Sequence, residues 1–159
     1  MPGLCVVTAM RTISRAGVFC TLLLAAVAAF PTLGEDVASV GADGVRMNAQ
    51  VRVVVDQAYS VHQLSSPSGT IVREFVSPGG TVFGLSWQGP FTPDLRQLLG
   101  THFDEYVQAS QSDQGHIAHM VHVESGDLVV ESAGHMRFSV GRAYLRSKMP
   151  SGVTADALR

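Results

Sequence analysis

Two groups of residues in this sequence are of types that could do chemistry. The first comprises His62, Glu74 and Ser86, the three residue types of a hydrolytic triad, in which a carboxylate orients an imidazole and a serine oxygen attacks. The second comprises the histidines at every third position of one segment, which are His116, His119 and His122. On a helix this spacing would bring the imidazoles together, and such a cluster could bind zinc, copper or nickel. Both hypotheses, the triad and the metal site, depend on the secondary-structure elements that would bring these residues together.

Three short apolar runs separated by two similar turns would carry the first group. The turns are 66–70 (Ser-Pro-Ser-Gly-Thr) and 77–81 (Ser-Pro-Gly-Gly-Thr). Proline presets the backbone at the second position, and the glycine two residues later suits the left-handed position of a three-residue hairpin loop. The sequence therefore predicts a three-stranded antiparallel β-meander. Its register would place His62 opposite Glu74, with Ser86 one diagonal away.

Alternation along these strands predicts two unlike faces. We expect one face to form the core, and it would carry Tyr59, Val61, Ile71, Phe75, Phe83, Leu85 and Trp87, with Gln63 and Arg73 towards its edge. The other face is a mixed set suited to partial cover or binding, and it would carry Ser60, His62, Leu64, Val72, Glu74, Val76, Val82, Gly84 and Ser86. Because Gly84 would leave room above the histidine and glutamate, the predicted binding residues are His62, Glu74, Gly84 and Ser86.

Each chemical reading has a simpler alternative. A triad serine normally occupies a strained turn, whereas Ser86 is predicted within a regular strand. A cross-strand pair of His62 and Glu74, contributing less than about 1 kcal/mol, is the alternative to catalysis. In a strand, His116 and His122 would point to one face and His119 to the other, which would separate the metal ligands. We therefore expect no catalytic residue, no metal site and no cofactor.

The best helix signal in the chain follows the third run. Thr92 is the expected N-cap and Pro93 the first helical residue, and an apolar stripe predicts one long helix to about Gln111. Gly100 within it indicates either a close approach or a break.

Further strands are expected after this helix, at 117–123, 128–131 and 136–140, with a bulge at Gly141. The predicted fold class is α+β: an antiparallel sheet made of the meander and the later strands, with the helix packed on one face.

The first 28 residues have the layout of a secretory signal peptide. A basic stretch precedes an apolar core, and residues 26–28 (Ala-Val-Ala) fit the cleavage motif, so cleavage after Ala28 is expected. The alternative is a retained N-terminal anchor, although the apolar core is shorter than the roughly 20 residues of a spanning helix. Cys5 and Cys20 would leave with the signal, so the mature chain could not form an internal disulfide.

The rest of the chain is divided by its patterns. Residues 29–57 mix helical and strand spacing and lead into an α+β domain at 58–147, and 148–159 reads as a loosely packed tail with a helical turn near Thr154. The composition is 46% apolar and 15% charged, with 11 basic and 13 acidic residues and a net charge of -2. No basic field is present, which excludes nucleic acid as the expected partner.

Four segments of this chain resemble a known family. They are 59–62 (YSVH), 69–78 (GTIVREFVSP), 82–100 (VFGLSWQGPFTPDLRQLLG) and 134–145 (GHMRFSVGRAYL). They lie within 35–158, and the chain is similar to domain of unknown function 2844, a family of small exported proteobacterial proteins. The resemblance implies export and a single domain. It implies no activity, substrate or catalytic residue.

These observations predict a periplasmic or secreted protein that meets the membrane only transiently, through its signal peptide. We expect it to bind an envelope protein, a peptide or a cell-wall component through the half-covered face of its sheet, without catalysis. The alternative is a small hydrolase or metal-dependent enzyme that uses His62, Glu74 and Ser86, or the three histidines between 116 and 122.

Overall fold

The structure, a computed structural model, describes residues 32–112 and 120–159. None of the helices in these two ranges is long and apolar enough to cross a membrane. The elements before the helical connection are α1 (Ala38–Arg46), β1 (Gln50–Val55), β2 (Ser60–Ser65), β3 (Ile71–Val76) and β4 (Val82–Gly89). The later elements are α2 (Leu95–Leu99), a 3-10 turn (Gly100–His102), α3 (Phe103–Ser112), β5 (Met120–Ser125), β6 (Leu128–His135), β7 (Phe138–Leu145) and the 3-10 turns Arg146–Lys148 and Ala155–Ala157.

Within the described residues the seven strands form one antiparallel sheet in the order β1-β2-β3-β4-β7-β6-β5. Strands β1 to β4 form one meander and β5 to β7 a second, and the last strands of the two meanders, β4 and β7, pair with each other. The helical connection runs from β4 at the centre of the sheet to β5 at its edge. The predicted α+β class with an antiparallel sheet is confirmed, although the sheet contains two meanders rather than one.

Both hairpin loops have the predicted closure. The Ser66 amide donates to the Thr70 carbonyl at 2.9 Å, and the Ser77 amide donates to the Thr81 carbonyl at 2.9 Å. Gly69 and Gly80, near the ends of the two loops, have φ values of +87° and +82°, in the left-handed region that glycine enters without a Cβ penalty. The register of β2 against β3 is therefore the one that the sequence predicts.

The register of β3 against β4 differs from the prediction by one residue. Val76 faces Val82 as expected, but Phe75 faces Gly84 rather than Phe83. Phe83 is therefore the extra residue of a β-bulge, where two residues of one strand oppose one of the other. Because side chains alternate with a period of two, every residue of β4 beyond the bulge points to the face opposite to its predicted one.

The main core consequently lies on the face that the sequence predicted to be mixed, which we call the helix-covered face. Residues from the helices, including Val40, Leu98 and Leu99, pack here on buried strand residues, which include Leu64, Val72, Val76, Leu85, Trp87 and Val130. The predicted core face, which we call the open face, carries a smaller buried cluster of Phe75, Phe83 and Leu158. Leu158 is 1% exposed, so the C-terminal tail packs on the sheet and is not loose as predicted.

The prediction of one long helix is wrong, because Gly100 breaks it. This residue has φ 55° and ψ -118°, outside the helical region, and separates α2 from α3 through the 3-10 turn. The N-cap is Asp94, whose Oδ1 accepts hydrogen bonds from the amides of Arg96 at 2.9 Å and Gln97 at 3.2 Å. The predicted cap, Thr92, instead places its hydroxyl 2.8 Å from that of Ser139.

Gly141 on β7 makes room for the only tryptophan of the chain. The pairing of β7 with β4 and β6 is continuous here, so the bulge predicted at Gly141 is not formed. Gly141 lies opposite Trp87, and a Cβ at this glycine would overlap the indole ring. The ring is 1% exposed, and its Nε1 donates to Ser139 Oγ at 3.3 Å.

We predict that Gly141→Ala lowers the free energy of unfolding by about 2 kcal/mol, because the added methyl must displace a packed aromatic ring. Urea unfolding followed by the fluorescence of Trp87 measures this change. Gly41→Ala is the matched control, since a Cβ at Gly41 in α1 meets nothing within 4 Å. The free energy of unfolding of the control is expected to rise by about 0.5 to 1 kcal/mol, because alanine has a higher helix propensity than glycine. Equal stability of the two variants would contradict the packing argument.

Candidate functional site

His62 faces Glu74 across β2 and β3, as the sequence predicts. Both lie on the helix-covered face, yet in the described part of the chain no hydrogen bond or ion pair joins them. The His62 Nε2 instead lies 3.4 Å from Ser60 Oγ. Burial lowers the pKa of His62, which is the opposite of what a carboxylate partner would do. The ion pair offered as the alternative to catalysis is therefore not formed.

Glu74 belongs to a buried carboxyl pair instead. Its side chain is 0% exposed, and neither carboxyl oxygen has a hydrogen-bond partner among the described residues. Burial, and secondly the charge of Asp43, raise the pKa of Glu74 to about 8. Burial also raises the pKa of Asp43, against the hydrogen bond from Gln97 Nε2 to its Oδ1 at 2.5 Å and the charge of Arg46. At neutral pH Glu74 is therefore mainly protonated beneath α1.

Ser86 and Gly84 lie on the other side of the sheet, because the bulge reverses β4. Ser86 faces Arg73 on β3, whereas Glu74 faces Leu85. The three predicted triad residues are thus not brought together. A Cβ at Gly84 would meet Leu158 Cδ1 at 3.1 Å, so the C-terminal tail occupies the space that the sequence analysis assigned to a ligand.

Of the three candidate metal ligands, His116 and His119 lie outside the described residues. His122 is on β5, with Nε2 3.2 Å from Glu124 Oε1 and Nδ1 3.5 Å from Glu131 Oε1. Within 32–112 and 120–159, no three His, Cys, Asp or Glu side chains are arranged to hold a metal ion.

A row of polar residues, which we call the polar row, crosses the open face from one edge strand to the other. Each member lies directly opposite the next on the neighbouring strand, and the order is Arg52, Gln63, Arg73, Ser86, Arg142, Glu131 and His122. This row could not be predicted from the sequence, because it joins residues through the bulge and through the pairing of β4 with β7.

The part of the polar row from β3 to β5 lines a groove of about 620 Å³. Its apolar side consists of Val140, Ala133 and Met120, which face one another across β7, β6 and β5. Met120 is 58% exposed and Val140 37%, so the described residues leave much of this apolar surface exposed. Apolar side chains beside a few placed polar groups are typical of ligand-binding sites.

The polar groups of the groove differ in how far they are already paired. Arg142 donates from Nε to Glu131 at 2.5 Å and from Nη1 to the Ala155 carbonyl at 2.6 Å. Arg73 has no such partner in the described part of the chain. Ser86 is 4% exposed, and its Oγ has no hydrogen-bond partner among the described residues. The groove therefore presents a guanidinium and a buried hydroxyl with unused hydrogen-bonding capacity.

We predict that the free energy of unfolding falls as the pH rises from about 5 to about 8. An unfolded glutamate releases its proton near pH 4.5, whereas folded Glu74 keeps it until about pH 8, so alkaline conditions favour the unfolded state. Glu74→Gln keeps a neutral side chain at all pH values. The loss of unfolding free energy between about pH 5 and about pH 8 should therefore be smaller in this variant by a few kcal/mol, an order of magnitude that follows from the difference between the folded and unfolded pKa of Glu74. Urea unfolding at a series of pH values measures it.

Asp104→Asn is the control for this experiment, because Asp104 is an exposed acid on α3. The control should keep the slope of the wild-type protein. An unchanged slope in Glu74→Gln would show that Glu74 is ionised in the folded protein and would contradict the account of the buried carboxyl pair.

Comparison with known proteins gives one match. No curated protein and no solved structure matches the chain. The sequence model of the family described as "Protein of unknown function (DUF2844)" matches residues 29–158, which include every described element. The resemblance inferred from the four sequence segments is therefore confirmed, and the chain belongs to the DUF2844 family.

Proposed function

We propose that the protein is exported and acts in the periplasm, or outside the cell, as a non-catalytic binding module of the cell envelope. The ligand site is the groove on the open face. One observation carries this proposal: the groove is lined both by exposed Met120 and Val140 and by Arg73 and Ser86, whose polar groups are unpaired in the described part of the chain. The described part of the fold therefore leaves apolar side chains exposed and polar groups without partners, as expected of a binding surface.

Two further observations support parts of the proposal. The match to the family begins at residue 29, immediately after the predicted cleavage site, which supports removal of 1–28. The candidate hydrolytic residues point to opposite faces of the sheet, and Glu74 is protonated at neutral pH, which favours binding over triad chemistry.

The binding partner is a component of the cell envelope: a protein, a peptide or another envelope molecule. The groove combines an apolar strip with a small number of polar groups. We therefore expect the partner to be held by apolar contacts together with a few hydrogen bonds or ion pairs. No nucleic acid is expected at a site on a chain of net charge -2.

Native mass spectrometry of the protein recovered from the periplasm of its own host tests this function. We predict the mass of residues 29–159 together with a bound molecule. Val140→Glu should remove the bound molecule, because it places a charge in the apolar strip of the groove. Val55→Glu is the matched control, since Val55 is 78% exposed at the end of the edge strand β1, and it should retain the bound molecule.

Two results would contradict the proposal. Recovery of the unprocessed chain from the cytoplasm would overturn export. A bound molecule that survives Val140→Glu but is lost in His62→Ala would move the site to the helix-covered face.

A further inference from the structure

The groove holds an anchor for a negatively charged oxygen at the pairing of β3 with β4. Arg73 and Ser86 are directly opposite each other, so their Cβ atoms lie about 5 Å apart on the same face. The Arg73 guanidinium has no carboxylate partner within the described residues, and the buried Ser86 Oγ lacks a hydrogen-bond partner there. A hydroxyl buried without a partner costs free energy, and a ligand oxygen that accepts from both groups would remove that cost.

The charges around this anchor favour an anion. Among the side chains that line the groove, three are arginines, Arg73, Arg142 and Arg159, and one is acidic, Glu131. Glu131 accepts a hydrogen bond from Arg142 at 2.5 Å, so its charge is already compensated. Arg159 lies 3.8 Å from Asp156, which leaves Arg73 as the cation of the groove lining without an ion pair in the described residues. A carboxylate matches this guanidinium in charge and in geometry.

The groove continues from the anchor as an apolar strip. Val140, Ala133 and Met120 extend across β7, β6 and β5. Neighbouring strands lie about 4.8 Å apart, so the path from β4 to β5 is roughly 14 Å long. This length suits an extended chain rather than a small anion.

The position of the strip on the face of the sheet distinguishes an acyl chain from a peptide. Backbone groups in the interior of a sheet are paired with neighbouring strands, so the face offers no backbone partners to a ligand. A peptide lying there would bury amide groups without hydrogen bonds, whereas a hydrocarbon chain needs none. The apolar strip therefore favours an acyl chain.

Resting on the function proposed above, we propose that the groove binds a fatty carboxylate. The carboxylate accepts hydrogen bonds from Arg73 and Ser86, and the acyl chain lies on Val140, Ala133 and Met120. Calorimetric titration of the purified protein with decanoate tests this assignment. Decanol, which has the same tail without the carboxylate, and acetate, which has the carboxylate without the tail, should each bind at least about ten-fold more weakly than decanoate.

Variants identify the anchor. Arg73→Gln should weaken decanoate binding by about ten-fold to a hundred-fold, the range expected for loss of a charged hydrogen bond. Ser86→Ala should weaken it by about three-fold to ten-fold, since a neutral donor is lost. Arg52→Gln is the matched control, because Arg52 belongs to the same polar row but lies on β1 outside the groove, and its affinity should equal that of the wild-type protein.

Several outcomes would overturn the ligand class while leaving the proposed function intact. One is equal binding of decanol and decanoate, or equal affinity of Arg73→Gln and Arg52→Gln. Another is an apolar heptapeptide with a free C-terminal carboxylate that binds more tightly than decanoate and no longer binds when that carboxylate is amidated. This result would assign the groove to peptides. If decanoate does not bind but the host-purified protein carries a molecule that Val140→Glu removes, the fatty carboxylate is wrong and the groove is still the site.

Discussion

The bulge at Phe83 decides what each face of this sheet presents. Without the extra residue, Leu85 and Trp87 would share a face with Phe75, and Ser86 would share one with His62 and Glu74. With it, the large apolar side chains of β4 join the core beneath the helices, and Ser86 turns to the open face. One inserted residue thus separates the packing surface from the proposed binding surface, because the period of two transmits the shift along the whole strand beyond it.

The polar groups on the two faces of the sheet are in different states. On the helix-covered face, Glu74 is kept neutral by burial beneath α1, since an ionised carboxylate there would lack hydrogen-bond donors. On the open face, Arg142 and Glu131 neutralise each other, whereas Arg73 and Ser86 remain available within the part of the chain that the structure describes. The unpaired groups on the open face border a groove, and those on the helix-covered face lie under a helix.

Local signals predicted the local structure well. The loops at 66–70 and 77–81 fix their own geometry, and this is why the opposition of His62 and Glu74 was predictable. The bulge was not predicted, because Val82 and Phe83 are both apolar and either register places an apolar residue in a core. An isolated glycine within a strand is the available signal, and Gly84 carries it.

The residues that the sequence analysis missed are those whose roles depend on distant parts of the chain. Asp43 lies in a segment of mixed patterning, and nothing local indicates that it is buried or that its charge acts on Glu74. Arg73 and Arg142 are on strands that become connected only because β4 pairs with β7. The break at Gly100 was recognised as one of two alternatives, and its positive φ settles the choice.

Methyl NMR during a titration with decanoate tests the central claim most directly, because residues of the same strands serve as internal controls. Val140 and Ala133 point to the open face, whereas Ala143 and Val130 are buried on the helix-covered face of those two strands. We expect ligand contacts and the largest shifts at Val140, Ala133 and Met120, with Ala143 and Val130 nearly unchanged. Shifts concentrated at Ala143 and Val130, or absent from all five, would contradict the assignment of the open face as the binding surface.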